Sequence, residues 1–153
     1  MTNSKASFGL FVAVVAAVVG VIAFGAAQAS ASSAPIVIPY EKTCDEIAGH
    51  CVGTAGDGGT IEIQVTSFRA NGKAPGFAGR LTLTEWIEVG DISFTAEMNG
   101  YASPDGTTLL NGTVTEGSFA GAEVHQRSDF VSASPDGTTT VWRGQLQLMP
   151  ASA

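Results

Sequence analysis

From residue 60 onward, apolar and polar positions along the chain alternate with a period of two. In residues 60–68, Ile61, Ile63 and Val65 alternate with Glu62, Gln64 and Thr66, the pattern of a strand with one face on a core and the other in water. Residues 80–89 place Leu81, Leu83, Ile87 and Val89 on one side, and residues 92–98 set Ile92, Phe94, Ala96 and Met98 against Ser93, Thr95 and Glu97. Leu110, Gly112 and Val114 make a shorter inward row. Residues 122–130 oppose Ala122, Val124 and Phe130 to Glu123, His125, Arg127 and Asp129, and residues 138–148 add Trp142, Leu146 and Leu148. Six strands follow from these rows, with one or two more over residues 36–38 and near Cys51. No stretch after the N-terminal apolar run has a helical period.

The polar breaks between rows carry turn chemistry. The phrase SPDGTT occurs at residues 103–108 and again at 134–139. Each copy suits a hairpin loop, with Pro presetting the first central φ and Gly supplying a positive one. The copies stand at an odd offset, which maps inward Phe94, Ala96 and Met98 onto outward residues, so the turns are shared but the strands are not a repeat. Folding the second hairpin about Pro135-Asp136 sets Phe130 opposite Trp142 and Asp129 opposite Arg143, predicting an aromatic pair inside and an ion pair outside. Loops are also expected at residues 54–59, around Asp57 and three glycines, and at 69–76, which hold Asn71-Gly72 and Pro75-Gly76. A run of short-linked strands predicts an all-β antiparallel meander closing into a small barrel, with a two-sheet sandwich as the alternative.

One corner is similar to that of a known group of barrels. Gly117-Ser118-Phe119-Ala120-Gly121-Ala122, after Thr113-Val114-Thr115, resembles the G-x-G-x-F/Y-x-G-A corner of allene oxide cyclase and dirigent-like proteins, with Thr115 in place of the first glycine. The resemblance implies a small barrel; because that group spans cyclases, coupling guides and non-catalytic exported barrels, it transfers no catalytic residue.

The start of the chain changes the compartment in which this domain is read. Residues 1–5 are polar with one cation, Lys5, and residues 8–27 are apolar and uncharged before two overlapping A-x-A sites at residues 27–31. This is the order of a secretory signal over residues 1–31; an uncleaved membrane anchor is the alternative, since the run is long enough to span a bilayer. Residues 32–40, with Ile36-Val37-Ile38 between Pro35 and Pro39, are expected to be a linker or edge strand, and residues 41–153 a single domain. In an oxidising compartment Cys44 and Cys51, the only cysteines, are expected to form a disulfide.

Charge removes several function classes. The net charge is −7, all the acids lie from Glu41 onward, and Lys42, Arg69, Lys73, Arg80, Arg127 and Arg143 are scattered, so neither nucleic acid nor an anionic membrane is an expected partner. No metal or cofactor is expected: the C-x6-C pair with His50 lacks zinc spacing, no D-x-D-x-D-G loop is present, and no G-x-S-x-G elbow offers a nucleophile. His125, Arg127 and Asp129 are expected to form a solvated charge ladder. Asn111-Gly112-Thr113 is formally a glycosylation sequon and is expected to lie in a strand.

Glu85 is the exception to the pattern. It shares the parity of Leu81, Leu83, Ile87 and Val89 and points inward if the strand is regular, which would make it a lumen acid or ligand anchor. The cost of an unpaired buried carboxylate favours instead a bulge at Glu85-Trp86 that turns the acid out and Trp86 in. Tentative ligand-contacting residues are therefore Glu85, Trp86, Phe130 and Trp142. The expected function is a secreted binding or envelope-interaction module for a small apolar ligand or a protein partner, with a cyclase- or isomerase-type barrel enzyme using Glu85 as the alternative. Export makes a direct prediction: N-terminal sequencing of the protein from culture medium should begin at Ser30 or Ser32, and a cell-bound product beginning at Met1 would favour the anchor.

Overall fold

In a computed structural model that describes residues 34–71 and 78–150, the alternating rows become eight strands: β1 (Ile36–Asp45), β2 (His50–Ala55), β3 (Gly59–Ala70), β4 (Gly79–Val89), β5 (Ile92–Ala102), β6 (Thr107–Gly117), β7 (Glu123–Ala133) and β8 (Thr139–Met149). Each pairs antiparallel with the next, and β1 pairs with β8 to close the ring. The meander and the barrel are as expected. The targeting segment and residues 72–76 of the expected 69–76 loop lie outside the described residues.

The inner face is the apolar one. Ile38, Ile61, Ile63, Leu83, Ile87, Phe94, Met98, Leu110, Val114, Val124, Leu146 and Leu148 are buried in one cluster, while alternate residues such as Glu41, Glu62, Glu88 and Glu97 face water. This is the inverse of a lipid-facing barrel, whose apolar band is on the outside. The cluster packs the half of the lumen that holds the start of β1 and the end of β8.

The start of the domain moves relative to the sequence expectation. Residues 36–40, expected as linker or edge, are the first half of β1, with Tyr40 paired to Ala55 on one side and to Gly144 on the other. Closure explains why: β8 pairs along the whole of β1, whereas β2 pairs only from Tyr40 onward, so Pro39 lies where one flank has no ladder partner, and the inward residues Ile38 and Tyr40 are both buried. The Cys44–Cys51 disulfide links directly opposed residues of β1 and β2.

The repeated phrase gives similar turns that close one residue apart, on the fourth residue after the serine in one copy and on the fifth in the other. In the β5–β6 loop the Ser103 N–H donates to Thr107 O (2.8 Å) and Gly106 has φ 84°; in the β7–β8 loop the Ser134 N–H donates to Thr139 O (2.8 Å) and Gly137 has φ 72°. Asp105 and Asp136 each accept from the backbone N–H two residues on and from the preceding serine hydroxyl. These bonds, led by the one from serine, hold both carboxyls below the usual aspartate range.

The predicted pairings of the last hairpin are present, with one change of partner. Phe130 faces Trp142 in a T-shaped contact (centroids 5.6 Å apart) and Asp129 stands opposite Arg143. The outer ion pair differs: Arg143 binds Glu41 on β1 (2.6 Å), and Asp129 is contacted by Arg127 (3.4 Å). Closure again supplies the reason, because it brings β1 to the other flank of β8 with Glu41 directly opposite Arg143.

Four inward positions at strand centres are glycines: Gly53, Gly100, Gly112 and Gly144. A Cβ on Gly144 would run into the Arg127 carbonyl and the Tyr40 hydroxyl, so the bare backbone there lets the Tyr40 ring lie along the wall over β8 toward Arg127 O on β7, 3.4 Å away. Gly144→Ala should therefore destabilise the barrel by about 1–3 kcal/mol through overpacking, read as a shift of the urea midpoint. An unshifted midpoint would show that the β8 wall is less tightly packed than the structure indicates.

Candidate functional site

The two halves of the lumen are filled differently. Beyond the packed half, toward the ends of β1, β3, β5 and β7, side chains no longer meet across the ring and leave a half-open cavity of about 540 Å³. This is within the usual size range of small-molecule sites. Its wall is largely apolar: Ile63, Leu81, Leu83, Ala102, Leu110, Trp142 and the Cys44–Cys51 bridge. The rim comprises the turn between β1 and β2, with Asp45, Glu46 and Ile47, and the end of β3, with Phe68. Ile47 is 82% exposed.

Three polar side chains on the inner faces of three strands break the apolar wall. Lys42 of β1, Thr108 of β6 and Ser128 of β7 are all buried and all line the cavity. Thr108 and Ser128 are cross-strand partners. The Lys42 ammonium lies over the Tyr40 ring, 5.4 Å from its centroid, and no carboxylate oxygen of a described residue comes within 4.0 Å of it. The rim acids are occupied: Asp45 accepts the N–H groups of Ile47 and Ala48 at 2.9 Å, and Glu46 accepts from the Thr140 hydroxyl, which in turn accepts from Trp142 Nε1 (2.8 Å).

Below the cavity lies Glu85, wholly buried and inward. The expected bulge at Glu85-Trp86 is absent: β4 and β5 pair in unbroken register, with Glu85 opposite Ala96 and Trp86 opposite Thr95. Trp86 faces outward and is 39% exposed. Across the same stretch of β4 the irregularity is in β3, between Val65 and Ser67. The burial-cost argument failed because Glu85 is not alone. Gln126 of β7 reaches across the lumen and donates from Nε2 to Glu85 Oε2 (2.8 Å), and Lys42 supplies a positive charge.

The compensation is partial. Glu85 Oε1 and Gln126 Oε1 have no hydrogen-bond partner among the described residues. Desolvation pushes the Glu85 carboxyl up to about 7, against the opposing pull of Lys42 and the Gln126 bond. Desolvation likewise pushes Lys42 down to about 8, against the pull of Glu85 and Glu46. Burial also raises Tyr40. The pair thus holds two charges that burial disfavours, each made tolerable by the other.

Of the four residues tentatively assigned to a ligand, Trp142 lines the cavity. Phe130 stands at the same end of the barrel, 40% exposed, its ring against Trp142. Glu85 lies beneath the cavity floor and is not part of its lining, and Trp86 is on the outer wall. Lys42, Thr108 and Ser128 were not singled out from the sequence. A strand over residues 36–45 would have put Lys42 on the same side as Ile38, Tyr40 and Cys44, which is the signal that the expected start of the domain at residue 41 concealed.

A pH series separates an inward Glu85 from an outward one. A carboxyl whose folded pKa is raised favours the fold fully below its unfolded value, and that contribution is lost as pH rises through the folded value. Between about pH 4.5 and 7, stability of the wild type should therefore fall relative to Glu85→Gln, by at most about 1.4 kcal/mol per pH unit for one proton. Trp86→Ala should cost about 1 kcal/mol, below the roughly 3–5 kcal/mol of an emptied core site. Urea melts of both variants at pH 5 and 7 check the assignment. Parallel wild-type and Glu85→Gln profiles, or a core-sized loss for Trp86→Ala, would contradict it.

Compared with protein-family models, with curated proteins and with solved structures, the chain finds no match. The Gly117–Ala122 corner is a sharp turn with Gly117, Phe119 and Gly121 all at positive φ (86°, 65° and 88°). The small barrel that the corner's resemblance implied is present, with eight antiparallel strands, and function has to be argued from the lumen.

Proposed function

We propose that the protein is an exported binding module that holds one small, mainly apolar molecule in the open half of its barrel. The observation that carries this reading is the split lumen: one half packed with aliphatic side chains, the other an apolar-walled cavity with an exposed apolar rim. Burial of ligand surface against such walls contributes about 25 cal/mol per Å², and a few fixed polar groups orient what enters. The leader-like N-terminus and the disulfide support export. A cavity on a binding barrel need not perform chemistry, and the alternative of a cyclase-type enzyme required Glu85 to reach it. Glu85 lies behind Lys42 and Gln126, outside the lining, so the cavity favours binding over acid catalysis.

A neutral environment-sensitive dye such as N-phenyl-1-naphthylamine tests the reading. It should brighten and shift to the blue in the presence of the wild type, with saturable one-site binding. Leu81→Trp, which adds bulk to a half-buried wall position near the rim, should weaken that binding at least tenfold while keeping the fold, as read by far-UV circular dichroism. Unsaturable dye uptake, or equal binding by the Leu81→Trp variant, would overturn the assignment.

A further inference from the structure

We propose that the ligand is an aliphatic monocarboxylate whose head group is held by the Lys42 ammonium on the cavity floor, with its chain lying along the apolar wall toward the rim. This rests on the binding reading above and adds the chemistry of the head group.

Four observations converge on it. Among the described residues Lys42, 6% exposed, is the only Lys or Arg in the cavity lining and has no carboxylate oxygen within 4.0 Å, so its ammonium is a donor available on the cavity side. An ammonium in that position gains most from an ionised acceptor, since charge-assisted hydrogen bonds are about twice as strong as neutral ones. Thr108 and Ser128 add two hydroxyls to the same lining, with Ser128 also bonded to Tyr40, so the polar groups of the cavity lie on β1, β6 and β7. Above them the wall offers Leu81, Leu83, Leu110 and Trp142, which suit a hydrocarbon chain and nothing ionic.

The surrounding acids set the limit on ligand charge. Asp45 and Glu46 flank the opening and Glu85 lies below the floor, with Tyr40 the other titratable group beside Lys42. Among the described residues Lys42 is the one positive charge lining the cavity, and with three acids around it any negative charge beyond the one it contacts directly, as on a phosphate ester or a dicarboxylate, would be unpaired and repelled in a low-dielectric space. The single charge of a carboxylate replaces Glu85 as the near counter-charge of Lys42. Because burial lowers Lys42 to about 8 and raises Glu85 to about 7, carboxylate affinity should fall as pH rises through that range, first as Glu85 ionises and then as Lys42 loses its proton, while affinity for a neutral chain of the same length should change far less.

Displacement of N-phenyl-1-naphthylamine by decanoate and by decanol, at pH 7 and pH 9.5, tests this on the wild type, Lys42→Met and Lys42→Arg. For the wild type at pH 7, decanoate should displace the dye at a concentration at least tenfold below decanol, and this advantage should shrink at pH 9.5. Lys42→Met should lose the advantage and still bind decanol; Lys42→Arg, which keeps the charge, should retain it. Equal displacement by decanoate and decanol, unaltered by Lys42→Met, would overturn the head-group inference and leave the apolar cavity standing. Failure of the dye to bind the wild type would overturn both.

Discussion

The pairing of β1 with β8 is the contact on which the rest of the structure depends. An open sheet of this length would leave two edges with unpaired backbone groups and would set no fixed separation between β4 and β7. Once β1 closes the ring, Glu41 meets Arg143, Tyr40 packs against Gly144, and Glu85 comes within a hydrogen bond of Gln126. Closure also fixes how much lumen there is to fill. Ile38, Ile61, Ile87, Phe94, Leu146 and Leu148 fill one half, whereas in the other half Leu81, Leu83, Leu110 and Trp142 are interspersed with the smaller Cys44, Cys51, Ala102, Thr108 and Ser128 and leave a cavity between them, which therefore follows from the inward residues rather than from a separate element.

Most of the strand pattern was legible because a period of two survives wherever one face of a strand is buried. The hairpin of β7 and β8 was legible to its register, since an aromatic and a charged pair agreed on opposite faces. What escaped was decided by contacts distant in sequence. Pro35 and Pro39 made residues 32–40 look like a linker, and only a strand arriving from the other end of the chain shows that β1 is paired on both sides. The choice between an inward and an outward Glu85 turned on whether the carboxylate would be paired. Its partners, Gln126 and Lys42, sit on β7 and β1, and nothing local to residues 81–89 points to either.

Bulges show the same dependence. The sequence argument placed one in β4 to rescue Glu85, whereas the structure has irregularities at Val65/Ser67 in β3, at Thr115 in β6 and at Phe130/Ser132 in β7. Each lies toward the end of a strand, where a closed barrel must bend and twist most. Thr115 is also the residue that stands where the corner pattern G-x-G-x-F/Y-x-G-A has its first glycine, so the extra residue of β6 falls at that position. Bulge positions follow the shear of the ring, which one strand's sequence does not carry.

The polar groups in the lumen go against the economy of the fold. Replacing Lys42, Glu85 and Gln126 by aliphatic side chains of similar size would remove two desolvated charges and two unpaired acceptors, a change that is often neutral or stabilising by about 1–4 kcal/mol in buried ion pairs. Their arrangement also has a direction. Glu85 and Gln126 lie on the side of the packed half, and Lys42 faces the cavity. Ile36, where β1 begins, is at the packed end, whereas the rim formed by Asp45, Glu46, Ile47 and Phe68 is at the opposite end. Whether the N-terminal segment is removed or retained as an anchor, the chain enters the barrel at the closed end and leaves the rim facing away from it. In the binding reading proposed above, a ligand would reach Lys42 from that opposite end, past rim acids that oppose additional negative charge and apolar residues that suit a chain.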